Sequence, residues 1–515
     1  DGLWVLDENG SETVTGGVIT GGTGYPIQFG SGAHAYTAYY GGAVYIELGG
    51  TLNMGGGSIV GCSAVYGGGV YVAGEFVMTG GSIIGCAADR GGGVCMRDND
   101  AVFNMSGSAA IRYCKAASKD TSYAPGGGVY VSYHNKNTEF TMGGNAVIEN
   151  CKVTASSQNS WTGSYGGGVL VSSRSSLTLK DQAAIRKCSA KNTAGGATHG
   201  GGIFAEGTLT IAGLAEVDKD CSAAVGSGIY MEVGPDFIVS QNLYANGGVI
   251  AGEVVLNSAS NHGATLKITG SDEGVTEFKG SVLNNNGIIE KGKFAGEVTN
   301  NGSITGGKFT GTVINSESGT IADDVSIPNL IFIVTFVNEG TKTTETIAKG
   351  DKLTAPTTQT KEGYRFDGWY YDNNGGKAKW GFDADIVTRA MTLTAKWVQT
   401  YTVAFDTNGG SAVDPVTVDA GSTVTKPADP TKSGYTFGGW YTENTYENPY
   451  DFHAAVTGSL TLYAKWNSIV YSDPTYAVSA PTAENGKIAV SPKNASAGST
   501  VTITVKPDSG YVLET

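Results

Sequence analysis

Seven times between Gly41 and Tyr230 the chain restarts on a glycine-rich signal followed by a short β-branched run. The starts are Gly41-Gly42-Ala43-Val44, then Gly67, Gly91, Gly126, Gly166 and Gly200, each opening three glycines before Val or Ile, then Gly226-Ser227-Gly228-Ile229. Inside each unit a second apolar run follows, such as Phe76-Val77-Met78, Phe103-Asn104-Met105 and Phe140-Thr141-Met142. A third leads to a cysteine. Three short strands per unit of about 24 residues, joined by glycine corners, describe coils that bury their inward side chains only by stacking on one another. The expected fold is all-β, a right-handed parallel β-helix over residues 41–245 with three strands per coil, capped by residues 1–40.

Glycine supplies 79 of the 515 residues, about twice the usual share of roughly 7%. The glycines serve corners that need positive φ or close backbone approach. A phosphate-cradling loop would need a following helix and, in the nucleoside-triphosphate type, a Lys with Ser or Thr, and neither accompanies these triplets. A net charge of −14 disfavours nucleic acid and anionic lipid as partners, since both demand clustered Lys and Arg. Without an 18-residue apolar run, no membrane insertion is expected of this fragment. Asp1 opens the chain with no signal-peptide pattern, so a mature extracellular fragment is expected, its targeting segment and anchor lying elsewhere.

Cys62, Cys86, Cys114, Cys151, Cys188 and Cys221 hold the same place in successive units and should form a ladder along one inner edge. Neighbouring strands stack about 4.8 Å apart with parallel Cα–Cβ vectors, whereas a disulfide wants Cβ atoms about 3.8 Å apart and turned together, so reduced thiols are expected. Cysteines spread along a line do not converge as zinc ligands do, and no metal or other cofactor is expected.

Between cysteine and next triplet, three consecutive units lengthen, at residues 115–125, 152–165 and 189–199. Insertions on one side of a solenoid commonly build binding surfaces, and these carry Tyr123, Trp161, Tyr165 and His199. Trp161 has Gln158 and Asn159 beside it, an aromatic face with orienting polar groups, so a ligand contact is expected here. The alternative is that the insertions simply pack on one another.

From Asn246 the repeats narrow, as in NNNGIIEKGKFAGEV and TNNGSITGGKFTGTV, which suggests a smaller continuing solenoid over 246–329 with Asn at its stacked turns. Two copies of another pattern follow. Val334-Thr335-Phe336, GYRFDGWY (363–370) and LTAKW (393–397) recur as Val403-Ala404-Phe405, GYTFGGWY (434–441) and LYAKW (462–466). Two domains, 330–398 and 399–467, are expected, each with its own core from Trp369 and Trp397 or from Trp440 and Trp466. Exposed rings on a carbohydrate platform are the alternative use of these tryptophans.

The GYxFxGWY and LYAKW motifs resemble the Listeria–Bacteroides repeat family, the internalin B-type B-repeats. The resemblance implies small β-grasp-like spacers of bacterial surface proteins, with residues 468–515 the start of a divergent third copy. The glycine coils resemble right-handed β-helix surface proteins such as the polymorphic outer-membrane family, although the FxxN half of that motif is absent. The spacers suggest a cell wall rather than an outer membrane.

The functional expectation is a non-enzymatic bacterial surface adhesin for a host glycan or host surface protein. A β-helix polysaccharide lyase or glycoside hydrolase is the alternative, requiring converging carboxylates about 5 to 9.5 Å apart or acidic calcium ligands beside a base. Asp98, Asp100, Asp181, Asp218 and Asp220 are its candidates. A structural stalk, self-associating through exposed coil ends, is the third.

Overall fold

The computed structural model describes residues 4–6, 10–29, 36–97, 100–117, 124–132, 138–156, 163–233, 241–257, 266–270, 275–357, 359–373 and 375–514. Every regular element among them is a strand. The chain forms two compact units, one of residues 1–356 and 369–395, the other of 357–368 and 396–515.

The first unit is a parallel β-helix. The strand after each glycine triplet stacks in register on the next, so that Val44, Val70, Val94, Val129, Val169, Ile203, Ile229 and Val254 form one continuous row. The second strands stack likewise, as Leu52, Phe76, Phe103, Phe140, Leu177 and Leu209, and the third as Ile59, Ile83, Ile111, Ile148 and Ile185. These rows point inward and are almost wholly buried.

Three strands per coil proves one too few. The residues after each cysteine pair as well, Ser63 with Ala87, Lys115, Lys152 and Ser189, giving a fourth short strand. The reason is register: once three sides of adjacent coils are locked, the fourth also lies at hydrogen-bonding distance.

The triplet is explained position by position in the coil that opens at Gly166. Gly166 turns with φ +66, in the left-handed region. A Cβ on Gly167 would stand 2.3 Å from the Gly201 carbonyl oxygen of the next coil. A Cβ on Gly168 would meet the Gly202 oxygen at 2.7 Å, Ile185 Cγ2 at 2.8 Å and Cys188 Sγ at 3.3 Å. The third glycine and the cysteine thus share one small space, and the thiol occupies what a side chain would have taken.

The six aligned cysteines are buried thiols with no disulfide among them. Each lies within sulfur hydrogen-bonding reach of an isoleucine carbonyl of the preceding coil, as Cys151 Sγ to Ile111 O at 3.7 Å and Cys188 Sγ to Ile148 O at 3.8 Å. Thiol also meets thiol along the row. The contact with Cys114, then burial, pushes Cys86 up to about 12, and burial holds Cys151 and Cys188 well above the ordinary thiol range. Beside them Phe76, Phe103 and Phe140 stack with ring centroids 4.7 Å apart, the spacing of the strands themselves. On the outside, the same register aligns Arg112, Glu149 and Arg186 as a charge-alternating row, with Arg112 3.4 Å from Glu149, and Arg186 also reaches Glu216 at 2.9 Å.

Past residue 254 the coils shorten: Val298 pairs with Val313, and the isoleucine row of the third strands passes through Val217 and Ile250 into a second aromatic stack of Phe278, Phe294 and Phe309. Some asparagines are at the turns: Asn286 takes positive φ at its bend, and Asn301 at the next bend donates to Asn285 Oδ1 at 2.8 Å. Asn284, Asn300 and Asn315 instead lie inside strands, facing the core. Parallel stacking aligns their carboxamides, Asn284 Nδ2 donating to Asn300 Oδ1 and Asn300 Nδ2 to Asn315 Oδ1, both at 2.7 Å. Each amide is bonded to the next in this way, which is why the polar residue is tolerated inside; in the row, Asn284 Oδ1 at its head alone has no partner among the described residues.

The two ends of the helix differ. At the start, Ser11–Val14 and Val18–Thr20 add a last partial coil, and exposed Glu12 stands in register with Leu52, where later coils place Phe or Leu. A cavity of 190 Å³ lined by Val14, Ile19, Val44, Leu52 and Ile59 lies beneath it. At the other end the helix runs on past Pro328. Leu330, Ile331 and Phe332 pair in parallel with Val313, Ile314 and Asn315, so the strand Leu330–Asn338 is shared with the first of the two C-terminal repeats. That strand also pairs with Thr341–Ala348 and with Met391–Thr394, and Phe336 packs edge-on against buried Trp369 at 5.0 Å. Trp380, not singled out by its motif, is equally buried.

In the second unit, Val403, Phe405, Trp440, Leu462 and Ala464 make a core, with half-buried Trp466 beside Phe437 at 5.6 Å and its indole N–H donating to Thr407 O. Half-buried Trp397 packs on Phe366 at 5.3 Å. Arg365 meets Asp419 through both Nε and Nη2, at 3.0 and 2.7 Å. Residues 475–507 add two antiparallel strand pairs.

Two outcomes are expected. The folded protein resists alkylation by iodoacetamide at pH 8, because thiolate formation inside the row is suppressed, and after denaturation without reductant all 7 cysteines react, as mass spectrometry will show. Asn300→Ala removes the acceptor of Asn284 and the donor to Asn315, and costs about 2 to 4 kcal/mol of local stability, read by hydrogen exchange over residues 298–315.

Candidate ligand groove

Alternation along each first strand turns the middle residue outward, yet Tyr71, Cys95, Tyr130, Leu170, Phe204 and Tyr230 are buried. What covers them is the residue just before each triplet. Tyr40, Tyr66, Tyr165 and Val225 pack back onto this outer face and form a second core outside the solenoid. Tyr40 stacks on Tyr66 at 4.8 Å and Tyr45 on Tyr71 at 5.4 Å, while the Arg97 guanidinium lies 4.6 Å from the Tyr66 ring.

The three lengthened segments are partly strands rather than loops. Ala124–Pro125, Ser164–Tyr165 and Thr198–His199 form their own three-stranded parallel sheet, with Tyr165 opposite His199. Both rings are half-buried: Tyr165 packs on Phe204 at 4.9 Å, and His199 stacks on Tyr230 at 4.3 Å. Burial keeps the His199 pKa below its ordinary value, and its Nδ1 has no hydrogen-bond partner among the described residues. Tyr123, Gln158, Asn159 and Trp161 lie outside the described residues.

Where the extra sheet is present, it covers the fourth strands, and Ala124 seals Ala116 and Val153. The first two coils have no such segment. Their fourth strands floor an open groove of 450 Å³, with Ser63, Ala64, Ala87 and Ala88 below and Lys115 and Ala117 on the side where the ridge begins. Tyr39, 43% exposed, forms the opposite wall with Thr23, and Asp89 supplies a carboxylate. Tyr39 belongs to an antiparallel hairpin of Tyr25–Phe29 with Tyr36–Tyr40. Gly24 fixes that wall to the floor: with φ +94, its missing Cβ would stand 3.1 Å from Tyr39 Cβ and 3.2 Å from Ala64 Cβ. The groove therefore joins an aromatic ring, a flat floor of small side chains and both signs of charge.

Of the aspartates considered for catalysis, two are engaged in hydrogen bonds with the backbone. Asp181 accepts from Gly144 N at 2.9 Å, and Asp218 accepts from Asp220 N at 3.2 Å, so these two hold turns. Asp98 is outside the described residues. Two further half-buried carboxylates, Glu206 and Glu232, stand at the C-terminal ends of neighbouring first strands. Burial, then the nearby Glu206, pushes Glu232 up to about 6. Only stacking brings the two together, and no spacing along the chain announces it. Because the folded-state value is raised, the stabilising contribution is complete below about pH 4.5 and is lost as pH rises through about 6. Glu232→Gln should raise thermal stability at pH 7.5, by on the order of 1 kcal/mol after allowing for solvent screening, with the advantage gone at pH 4. Thermal denaturation at the two pH values checks this.

Similarity to known proteins concentrates on envelope-associated chains. The chain is 42% identical over 138 residues to a Gly-rich membrane protein of Evansella cellulosilytica, covering 26% of this chain and 16% of that one. To a second membrane protein of that organism it is 37% identical over 182 residues, covering 35% and 26%. To internalin H of Listeria monocytogenes it is 35% identical over 153 residues, covering 29% and 27%. The chain thus spans about a quarter or less of these relatives, none of which is named as an enzyme. Among the described residues no helix is long and apolar enough to cross a membrane. Residues 332–396 and 401–465 each match the model of the Listeria-Bacteroides repeat domain, so the chain carries two tandem copies of that repeat behind its parallel β-helix.

Proposed function

We propose that the protein is a non-enzymatic adhesin of the bacterial cell surface, in which the β-helix presents the ligand and the C-terminal repeats are spacers toward the cell envelope. The observation that carries this reading is the groove between the Tyr39 hairpin and the ridge: a recess of 450 Å³, large enough for a small ligand, floored by short side chains and bearing an exposed ring. A host glycan or a host surface protein is its partner. The relatives' names, membrane protein and internalin, agree with an envelope location. The Trp-rich repeats keep Trp369 and Trp440 in their cores, which favours a mechanical over a sugar-stacking use of those rings. Catalysis receives no comparable support, since Asp181 and Asp218 cap separate turns.

Arrays of immobilised glycans and of purified host surface proteins, probed with the full chain, test the reading. Ala87→Trp fills the groove from its half-exposed floor, and should abolish binding with little change in melting temperature. Binding that is undiminished in this variant places the ligand elsewhere and removes the groove from the account.

A further inference from the structure

We propose that the groove takes a neutral oligosaccharide, one pyranose stacking on Tyr39. The inference rests on the adhesin reading and names its ligand class.

The floor decides between the two kinds of partner. A peptide captured in extended form adds to a sheet through free backbone N–H and C=O groups at an edge. Here the floor strands Ala87–Arg90 and Lys115–Ala117 are interior to a sheet, while Ser63–Tyr66 pairs along one side with Ala87–Arg90 and meets Tyr40 through Tyr66 and Gly22 O through the Ser63 N–H on the other. They offer chiefly a face of side chains, so recognition runs mainly through side chains.

Those side chains suit a sugar. Ala64 and Ala88 stand in register, so their methyl groups share one face of the sheet, with Ser63 and Ala87, also in register, lining the groove beside them. Tyr39 offers a largely exposed face, held in place because Gly24 leaves no slack between the hairpin and Ala64. A pyranose has one face of C–H bonds, which packs on an aromatic ring, and a rim of hydroxyls, each both donor and acceptor. Lys115 can donate to such hydroxyls, and Asp89 stands at the same groove. A polyanionic glycan would gain one cation here and meet Asp89 together with a net charge of −14. The ligand is therefore uncharged.

Saturation-transfer NMR on the full chain tests the assignment, with lactose, N-acetyllactosamine, maltotetraose and chitotetraose as neutral probes and 3′-sialyllactose as the anionic one, each at millimolar concentration. At least one neutral probe should receive saturation at its ring C–H protons. Tyr39→Ala should weaken it roughly tenfold or more, as for loss of an interface anchor, and Tyr39→Phe should retain it. The Phe variant also guards against a folding defect, since it keeps the ring and removes only the hydroxyl. Transfer to no neutral probe, preferential transfer to 3′-sialyllactose, or transfer indifferent to Tyr39→Ala overturns the proposal. If an array protein is bound, and Ala87→Trp abolishes that binding while every sugar stays silent, the groove serves a protein partner: the adhesin reading then stands and the sugar assignment falls.

Discussion

Parallel strands stacked in register about 4.8 Å apart bring each side chain face to face with its counterpart in the coils before and after. The rest of the structure follows from that constraint. A residue type tolerable at one coil must be tolerable against a copy of itself, so the interior becomes a set of homogeneous rows. Phenylalanine passes because rings at this spacing stack offset, as Phe76, Phe103 and Phe140 do. Cysteine passes because its small thiol fills the gap beneath the third glycine and the geometry denies it a disulfide. Asparagine passes because a carboxamide donates to the next and accepts from the last. Charge can alternate sign along a row, as Arg112, Glu149 and Arg186 do, or repeat at the surface, as Lys115 on Lys152 and Lys293 on Lys308 do.

The same constraint limits where a binding site can arise. Four sides of each coil are committed to stacking, so residues are added in the connections between them, as between Val131 and Glu139 or between cysteine and the next glycine. Three consecutive coils lengthen at the latter, and the added residues stack on each other as a fifth strand instead of standing free. The ridge therefore closes over its own coils, and the recess falls beside it, over the two short coils that lack it. A groove made by omission has a floor of whatever the buried pattern demands, here Ala and Ser.

That geometry explains what was legible in the sequence. The coil, its inner rows and the two C-terminal repeats could be read because each repeats a bulky or unusual residue at a fixed interval: the triplets, Phe76 to Phe140, the six cysteines, the paired tryptophans. The fourth strand was hidden because Ser63-Ala64-Val65-Tyr66 and its counterparts share no residue pattern, only a register imposed by their neighbours. The inner asparagines were misplaced because Asn-Asn before Gly carries a turn signal, and stacked amides override it from inside the strand. The groove was illegible for a different reason. Its wall comes from the cap, its floor from two coils and its rim from a third, and none of Tyr39, Ala64, Ala87 or Lys115 is conspicuous alone. Glu206 and Glu232 escape notice likewise, since one coil of intervening chain separates carboxylates that stacking makes neighbours.

A terminal coil leaves a row of unpaired backbone groups and an open apolar core. In the coil before Leu52, exposed Glu12 stands in the row of Leu52 and Phe76. At the far end a row is handed on: the amides of Asn300 and Asn315 give way to Phe332, and the strand that bears it belongs to the adjoining repeat. The first repeat is consequently the terminal rung of the helix as well as the first of the spacers, and the register that built the coils passes directly into its own core at Val334 and Phe336.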